Sequence, residues 1–570
     1  MRRPPVGRLV AVLTVAVLTL AVVVVRLAVL QFGEAGQLVA LGAQQRLRTY
    51  QLTANRGAIL DRVGTPLAIT VEARDVYADP RFVVDAADTA ARIAPILEMG
   101  RGRLHGLLSA SGTFVYLARQ VDVGVAERLA GLGLPGIGFL DSSRRYYPAG
   151  TVAAQVLGFV GTDGVGLSGL EAQHEDYLAG SPGEETVEVS AQGQAIAGGA
   201  RAATEPLPGD DLILTIDREI QFQSQRYLRE AVETNGAKAG TVVVMDPRTG
   251  DIYAMASYPS FDPNDFLAFP PEDRLNRALT DAWEPGSVNK IVTAATALET
   301  GAVTPTQRFQ VPATRQIEGY TITDSHPHPV ESMTIGDIIA ASSNVGSSML
   351  ADRVGNDALA DAFESFGFGR TTGLGFPGEA SGIVPAAADW DFDITRATVS
   401  FGAGMAVTPV QMASVYATIA NGGRWVQPRL VAGSVGADGT VTDAAVSPSR
   451  RVVAPDTADL LTRMLAYVVQ DGTGYNARIE GYQVAGKTGT AKKLDEDGRY
   501  TNRYVASFIG FLPARNPRVV VATILDEPDT VYGGIAAAPL FQDIARFAIQ
   551  RLAIPPAPPV ELPPHVQARS

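Results

Sequence analysis

Trp283-Glu284-Pro285-Gly286-Ser287-Val288-Asn289-Lys290 runs directly into the apolar stretch 291–298, and the rest of the chain is organised around this junction. Pro285 and Gly286 break the chain, and the apolar run after them reads as a buried helix. Ser287 then stands at a helix N-terminus, with Lys290 one turn later on the same face. The helix dipole and its free N–H groups favour negative charge beside Ser287. The same positive end disfavours a charged Lys290, and desolvation lowers its pKa further. A serine beside a lysine that can lose its proton is a nucleophile with its base. In a chain this long, a Ser and a Lys three apart turn up about once by chance at ordinary composition. The junction alone therefore decides nothing.

Two further patterns follow in order. Ser342-Ser343-Asn344 lies in a Ser/Asn-rich loop between two helical patterns. A hydroxyl there can relay a proton to a leaving amine, while the Asn344 amide holds the lysine and a substrate carbonyl. Alone, such a loop is more often a helix cap than a site. Lys487-Thr488-Gly489-Thr490 follows the apolar pair Val484-Ala485 and reads as a strand edge, with Gly489 allowing close backbone approach. Lys487 with the hydroxyls of Thr488 and Thr490 makes a strip that binds a carboxylate. Lys487 also adds a second cation near Lys290. Together the three patterns specify acyl transfer through a serine ester, with a lysine as base, from a substrate that ends in a carboxylate.

The flanks set the fold class. Residues 212–216 form a strand, and Asp217 caps the helix that follows. Residues 241–245 and 252–256 flank the turn Asp246-Pro247-Arg248-Thr249-Gly250, a hairpin signal. Strands recur at 504–511 and 519–525, with helical patterns between. Strands at both ends and helices in the middle predict an α+β domain with an antiparallel sheet flanked by helices. Upstream, residues 56–68 read as a hairpin around Gly64, and 31–51 as a helix leaving the membrane. Residues 31–205 offer no nucleophile with a base and form a non-catalytic pedestal. Residues 204–210 are a linker, and the prolines of 555–570 mark an extended, mobile tail.

Composition narrows the compartment and the partners. The 570 residues are 46% apolar and 19% charged, with net charge −13, which describes a folded multidomain protein and disfavours a nucleic-acid partner. There is no cysteine, so thiolate metal sites and disulfides are excluded. His326-Pro327-His328 reads as loop rather than metal site, and no cofactor is expected. Arg2, Arg3 and Arg8 precede an apolar run over 9–30 interrupted only by Arg26. A span of roughly 20 apolar residues crosses a bilayer, and the cationic start places residues 1–8 in the cytoplasm and the body outside. The competing reading is a cleaved signal peptide.

With all three patterns in hand, the sequence resembles the penicillin-binding protein and serine β-lactamase superfamily. Arg56-Gly57…Asp61-Arg62…Gly64 and Arg145-Tyr146-Tyr147-Pro148 resemble the N-terminal module of class B penicillin-binding proteins. Trp283 departs from the Tyr more usual there. The resemblance implies a transmembrane anchor (9–30), a pedestal or dimerisation-type module (31–205) and a transpeptidase domain (206–554). It implies a peptidoglycan D,D-transpeptidase, a penicillin target, that cross-links stem peptides ending in D-Ala-D-Ala. Ser287 is then the nucleophile, Lys290 the base, Ser342 the proton shuttle and Asn344 the positioner. Lys487, Thr488, Gly489 and Thr490 bind substrate, and the N–H groups of Ser287 and Thr490 form the oxyanion hole. Residues 504–539, with the Asp526-Glu527-Pro528 turn, resemble the division-type members more than the elongation type. Such an enzyme works at the septum with a polytopic glycosyltransferase and other division proteins. The alternatives are an elongation-type transpeptidase, a D,D-carboxypeptidase or β-lactamase, and a non-catalytic β-lactam-binding sensor or scaffold.

Overall fold

The computed structural model describes residues 6–33, 36, 42, 46–190, 196–390, 393–495 and 497–562. Helix α1 (Val6–Ala28) has no buried residue and continues into a helical turn at Val29–Gly33. Its apolar side chains run round the whole circumference, which suits lipid rather than an aqueous surface. Val6–Phe32, whose most apolar 18-residue stretch has mean hydropathy 2.7, is long and apolar enough to cross a membrane.

The chain forms two compact units: Met1–Asn55 with Gly180–Pro208, and Arg56–Ala179 with Gly209–Ser570. The segment expected to form one pedestal over 31–205 is thus divided between them. In the first unit, Leu47–Leu52 pairs antiparallel with Gly183–Glu188, which pairs in turn with Arg201–Thr204. Part of the helix expected over 31–51 lies outside the described residues, but its last residues are strand. The Leu/Gln/Arg pattern suggested helix, yet ladder partners more than 130 residues downstream impose extended backbone on Leu47–Leu52.

In the second unit, β1 (Ile59–Leu60) pairs with β2 (Pro66–Ala78), which also carries β3 (Val115–Asp122) and β4 (Ile137–Tyr146). β1 also runs parallel to β5 (Asp211–Leu214), so residues before and after the first unit's insertion share one sheet. A buried ion cluster fixes this junction. The Glu171 carboxylate, with a fully buried side chain, accepts from Arg56 Nε and Arg145 Nε, each at 2.7 Å, and from the Tyr147 hydroxyl at 3.3 Å. The segments around Arg56, Arg145 and Glu171, far apart in sequence, thereby meet at one carboxylate. Gly57 is required here, because a Cβ would lie 2.1 Å from the Asp210 carbonyl oxygen.

Downstream, Asp217 caps α2 (Arg218–Thr234), accepting from the N–H groups of Glu219 and Ile220. β6 (Ala239–Met245) and β7 (Ile252–Tyr258) form the expected hairpin. The helices α3 (Lys290–Glu299), α4 (Ile335–Ala341), α5 (Asn344–Val354) and α6 (Pro409–Ala420) follow, then β8 (Ala485–Leu494), β9 (Tyr500–Leu512), β10 (Val519–Asp526) and α7 (Gly533–Arg551). The five-stranded antiparallel sheet has the order β7-β6-β10-β9-β8. Alternate residues feed opposite faces. Val242, Val244, Phe508 and Val521 pack against α2 and α7, whereas Val243, Met245, Ile509 and Val520 pack towards the helical half. Every residue of α6 is buried, so it forms the centre of that half.

The C-terminal prolines were expected to be mobile. The described part is instead pinned: Val560 is buried, its N–H donates to Gln483 Oε1 at 2.6 Å, and its carbonyl accepts from Gln483 Nε2. Pro563 and Pro564 lie outside the described residues.

Removing Glu171 leaves the buried Arg145 guanidinium without a carboxylate and Arg56 with only its ion pair to Glu175 at 2.7 Å, which costs about 3–5 kcal/mol. Glu171→Ala should therefore lower the denaturant midpoint sharply. Tyr147→Phe, which deletes one long hydrogen bond, should cost about 1 kcal/mol.

Candidate active site

The residues before Ser287 are pinned on both sides. Trp283 and Val407 exchange backbone hydrogen bonds at 3.0 and 2.9 Å, and the Gly286 N–H donates to the Gly402 carbonyl at 3.0 Å. Glu284 accepts from the Gly404 N–H at 2.7 Å and from the Tyr500 hydroxyl through both oxygens. Gly286, at φ +56°, turns the chain into a 3₁₀ turn, Gly286–Asn289, that leads into α3. Ser287 thus lies on a tight turn just before the α-helix rather than in its first turn. From behind, the Tyr416 hydroxyl on α6 donates to the Val288 carbonyl at 3.0 Å.

Lys290 starts α3 and is completely buried. Its Nζ lies 2.8 Å from Ser287 Oγ, 3.2 Å from Ser342 Oγ, and in contact with the Ser342 carbonyl oxygen. Among the described residues no carboxylate hydrogen-bonds to this amine. Burial pushes its pKa well below the ordinary lysine value, the Lys487 charge lowers it further, and the Asp324 carboxylate acts in the opposite direction. A neutral amine in contact with a serine hydroxyl is placed to take its proton.

Ser342 is the C-cap of α4 and adopts φ +58°, a left-handed conformation unusual for a residue with a side chain. Ser343 caps α5, accepting from the Gly346 N–H at 2.8 Å. The sequence placed the Asn344 amide on the lysine; instead its Nδ2 donates to the Thr323 carbonyl at 2.9 Å, and Ser342 makes the lysine contacts.

β8 is the edge strand of its sheet, so half of its backbone polar groups have no ladder partner. Lys487 on it is fully buried, its Nζ 3.2 Å from the Thr488 carbonyl, and burial pushes its pKa down to about 7. Gly489 lets the strand approach the serine turn: a Cβ there would lie 2.3 Å from Ser507 Oγ and 3.1 Å from Val288 Cγ1. Thr490 Oγ1 accepts from the Gly533 N–H at 3.3 Å. Thr488 Oγ1 lies 2.8 Å from Thr473 Oγ1. Thr473, Asp324 and Tyr416 were not singled out in the sequence. Thr473 sits in Asp471-Gly472-Thr473-Gly474, whose only local signal is a turn.

Comparison with known proteins now adds to this geometry. Residues 240–546 match the penicillin binding protein transpeptidase domain, and residues 51–214 the penicillin-binding protein dimerisation domain. The peptidoglycan D,D-transpeptidase FtsI of Escherichia coli strain K12 is 37% identical over 541 residues, covering 93% of this chain and 89% of that protein. The penicillin-binding protein PbpB of Mycobacterium tuberculosis is 36% identical over 574 residues, covering 94% and 84%. Among solved structures, penicillin binding protein 3 from Mycobacterium tuberculosis in complex with aztreonam superposes with TM-score 0.71 at 33% identity, covering 90% of this chain and 99% of that one.

The two buried lysines predict a bell-shaped pH profile for acylation of Ser287 by a carboxylate-bearing β-lactam. Lys290 accepts a proton only when neutral, so the second-order constant rises as pH climbs through its depressed pKa. If Lys487 draws the carboxylate, it does so only while protonated, so the constant falls above about pH 7. The two limbs belong to the coupled pair. At saturating β-lactam the bound carboxylate favours charged Lys487, and the falling limb moves to higher pH. Lys487→Arg, which stays charged throughout, should lose that limb.

Proposed function

The chain belongs to the penicillin-binding protein transpeptidase family, and from that premise we propose that it cross-links peptidoglycan stem peptides through an ester on Ser287. The observation that carries the reading is Lys290 Nζ, fully buried yet in contact with both Ser287 Oγ and Ser342. Ser287 Oγ attacks the carbonyl of the penultimate D-alanine while Lys290 takes its proton. The backbone N–H groups of Ser287 and Thr490 receive the developing oxyanion, the latter from the open edge of β8. The peptide C–N bond then breaks, and Ser342 Oγ passes a proton to the departing D-alanine amine. An amine of a neighbouring stem attacks the ester, its nitrogen forms the new amide, and Ser287 recovers its proton. Lys487, Thr488 and Thr490 hold the terminal carboxylate, and Gly489 brings that strip within reach of the serine. Asn344, anchored on Thr323, positions the substrate from the far side of the cleft.

The same reading assigns the place of work. Residues 9–30 hold the protein in the cytoplasmic membrane, with Arg2, Arg3 and Arg8 inside and the catalytic body outside. The run Tyr504–Pro513 and the Asp526-Glu527-Pro528 turn support a septal role. In this fold, Asp526 and Glu527 each accept from Lys493 Nζ at 2.7 Å, so the turn braces the strand that carries Lys487. The matched domains are a transpeptidase and a dimerisation domain, and the proposed septal role pairs the enzyme with a polytopic glycosyltransferase and other division proteins.

Incubated with benzylpenicillin, the full-length protein in detergent should gain the mass of one penicilloyl group, located at Ser287 by peptide mapping. Ser287→Ala should lose the adduct and keep the wild-type melt. An adduct elsewhere would refute the assignment. In cells, depletion should give long chains or filaments without completed septa; bulging cells that still divide would assign the enzyme to elongation.

A further inference from the structure

Ser342 holds a backbone conformation that an ordinary residue adopts at a cost on the order of 1–2 kcal/mol, and its carbonyl and hydroxyl both touch Lys290. Something outside the loop must keep it there. The hairpin Thr314–Ile317/Tyr320–Thr323 ends at Asp324, whose N–H donates to the Ala313 carbonyl at 3.0 Å. From that fixed point two adjacent residues grip three successive residues of the catalytic loop. Ser343 Oγ donates to Asp324 Oδ2 at 2.6 Å, and the Val345 N–H donates to Asp324 Oδ1 at 2.9 Å. Between them, Asn344 Nδ2 donates to the Thr323 carbonyl. The Asp324 side chain is only 7% exposed, and His328 Nε2 lies 3.1 Å from its Oδ2. Hydrogen bonds to a largely buried carboxylate are about twice as strong as neutral ones.

We infer that Asp324 is a positioning residue for the acyl-transfer site, holding the 342–345 loop in place and setting the charge that Lys290 faces. The inference rests on the proposed roles of Ser287, Lys290 and Ser342. Asp324 does not touch the reacting atoms. It acts through Ser343 and Val345 on Ser342, and through its field on the lysine. The charged groups facing Lys290 are Lys487 from β8 and Asp324 from the hairpin side. Those facing Asp324 are Lys290 from α3 and His328 from its own loop, and His328 is itself faced by Glu331. Asp324 favours the protonated lysine, opposing burial and Lys487. The His326-Pro327-His328 segment, which the catalytic reading left without a role, thereby supplies one support: His328 lies against Oδ2, the same carboxylate oxygen that grips Ser343.

The test is the second-order constant for acylation of the full-length protein in detergent by a fluorescent penicillin, followed against pH for wild type, Asp324→Ala and Asp324→Asn. Asp324→Ala releases the loop and should slow acylation on the order of 10²-fold, the size expected of a small misplacement of a catalytic group. Asp324→Asn keeps the shape and one acceptor but loses the charge. Its rate should fall less, and the rising limb of its pH profile should move to lower pH, because neutral Lys290 forms more readily without the carboxylate. A merely structural role would leave that limb where it is. An unmoved limb in Asp324→Asn, or wild-type acylation by folded Asp324→Ala, overturns the inference. If Asp324→Ala fails to fold, Asp324→Asn decides alone. Failure of the wild-type protein to acylate at Ser287 would instead bring down the functional reading on which this rests.

Discussion

Desolvation of the Lys290 amine is the constraint on which the rest of the site depends. A lysine with two hydroxyls and a carbonyl around it, and no carboxylate among the described residues within hydrogen-bond reach, is costly to keep as a cation and comfortable as a neutral amine. The fold creates that surrounding from several directions. α3 is buried from Lys290 to Ala297, α5 packs against it, and Ser342 closes the front. Arginine would not serve, because it stays charged in any such setting. The acid–base role proposed for Lys290 is a by-product of burial, which ties it to the packing of the helical half.

Bringing the Lys487–Thr490 strip, proposed to hold the carboxylate, to the same point imposes a second constraint, which falls on backbone rather than charge. β8 must lie against the serine turn, and it does so only where side chains are missing. Gly489 admits Val288 and Ser507, and Gly402 admits Gly286, whose carbonyl oxygen would lie 2.3 Å from a Cβ at residue 402. The left-handed Ser342 belongs to the same design: local backbone energy is spent where three chain segments converge. The sheet that carries β8 is a conventional two-sided core, with β10 central and helices on both faces, and so provides a stiff edge against which these approaches are set.

What was legible in the sequence were features whose cause is local. Pro285-Gly286 before an apolar run placed the serine turn, the Asp246–Gly250 turn gave the β6–β7 hairpin, and Asp217 announced α2. What was not legible depends on partners distant in the chain. Leu47–Leu52 looks helical in isolation and is a strand because Gly183–Glu188 pairs with it. Asn344 turns to Thr323, and Asp324 grips Ser343, because a hairpin of modest sequence signal folds back onto the loop. Thr473 reaches Thr488 only once the chain after Asp471 lies beside β8. The C-terminal prolines suggested freedom, yet Gln483 fixes Val560 with two hydrogen bonds.

The most direct test of this account is the protonation state of Lys290 in the resting protein. The chain contains five lysines, Lys238, Lys290, Lys487, Lys492 and Lys493, so a protein labelled with ¹³C and ¹⁵N at lysine gives five side-chain signals, assignable by single substitution. The account predicts that the Lys290 signal changes from ammonium to neutral amine at a pH well below the ordinary lysine value. A Lys290 signal that remains ammonium to high pH and titrates near the ordinary lysine value of about 10.4 would contradict it.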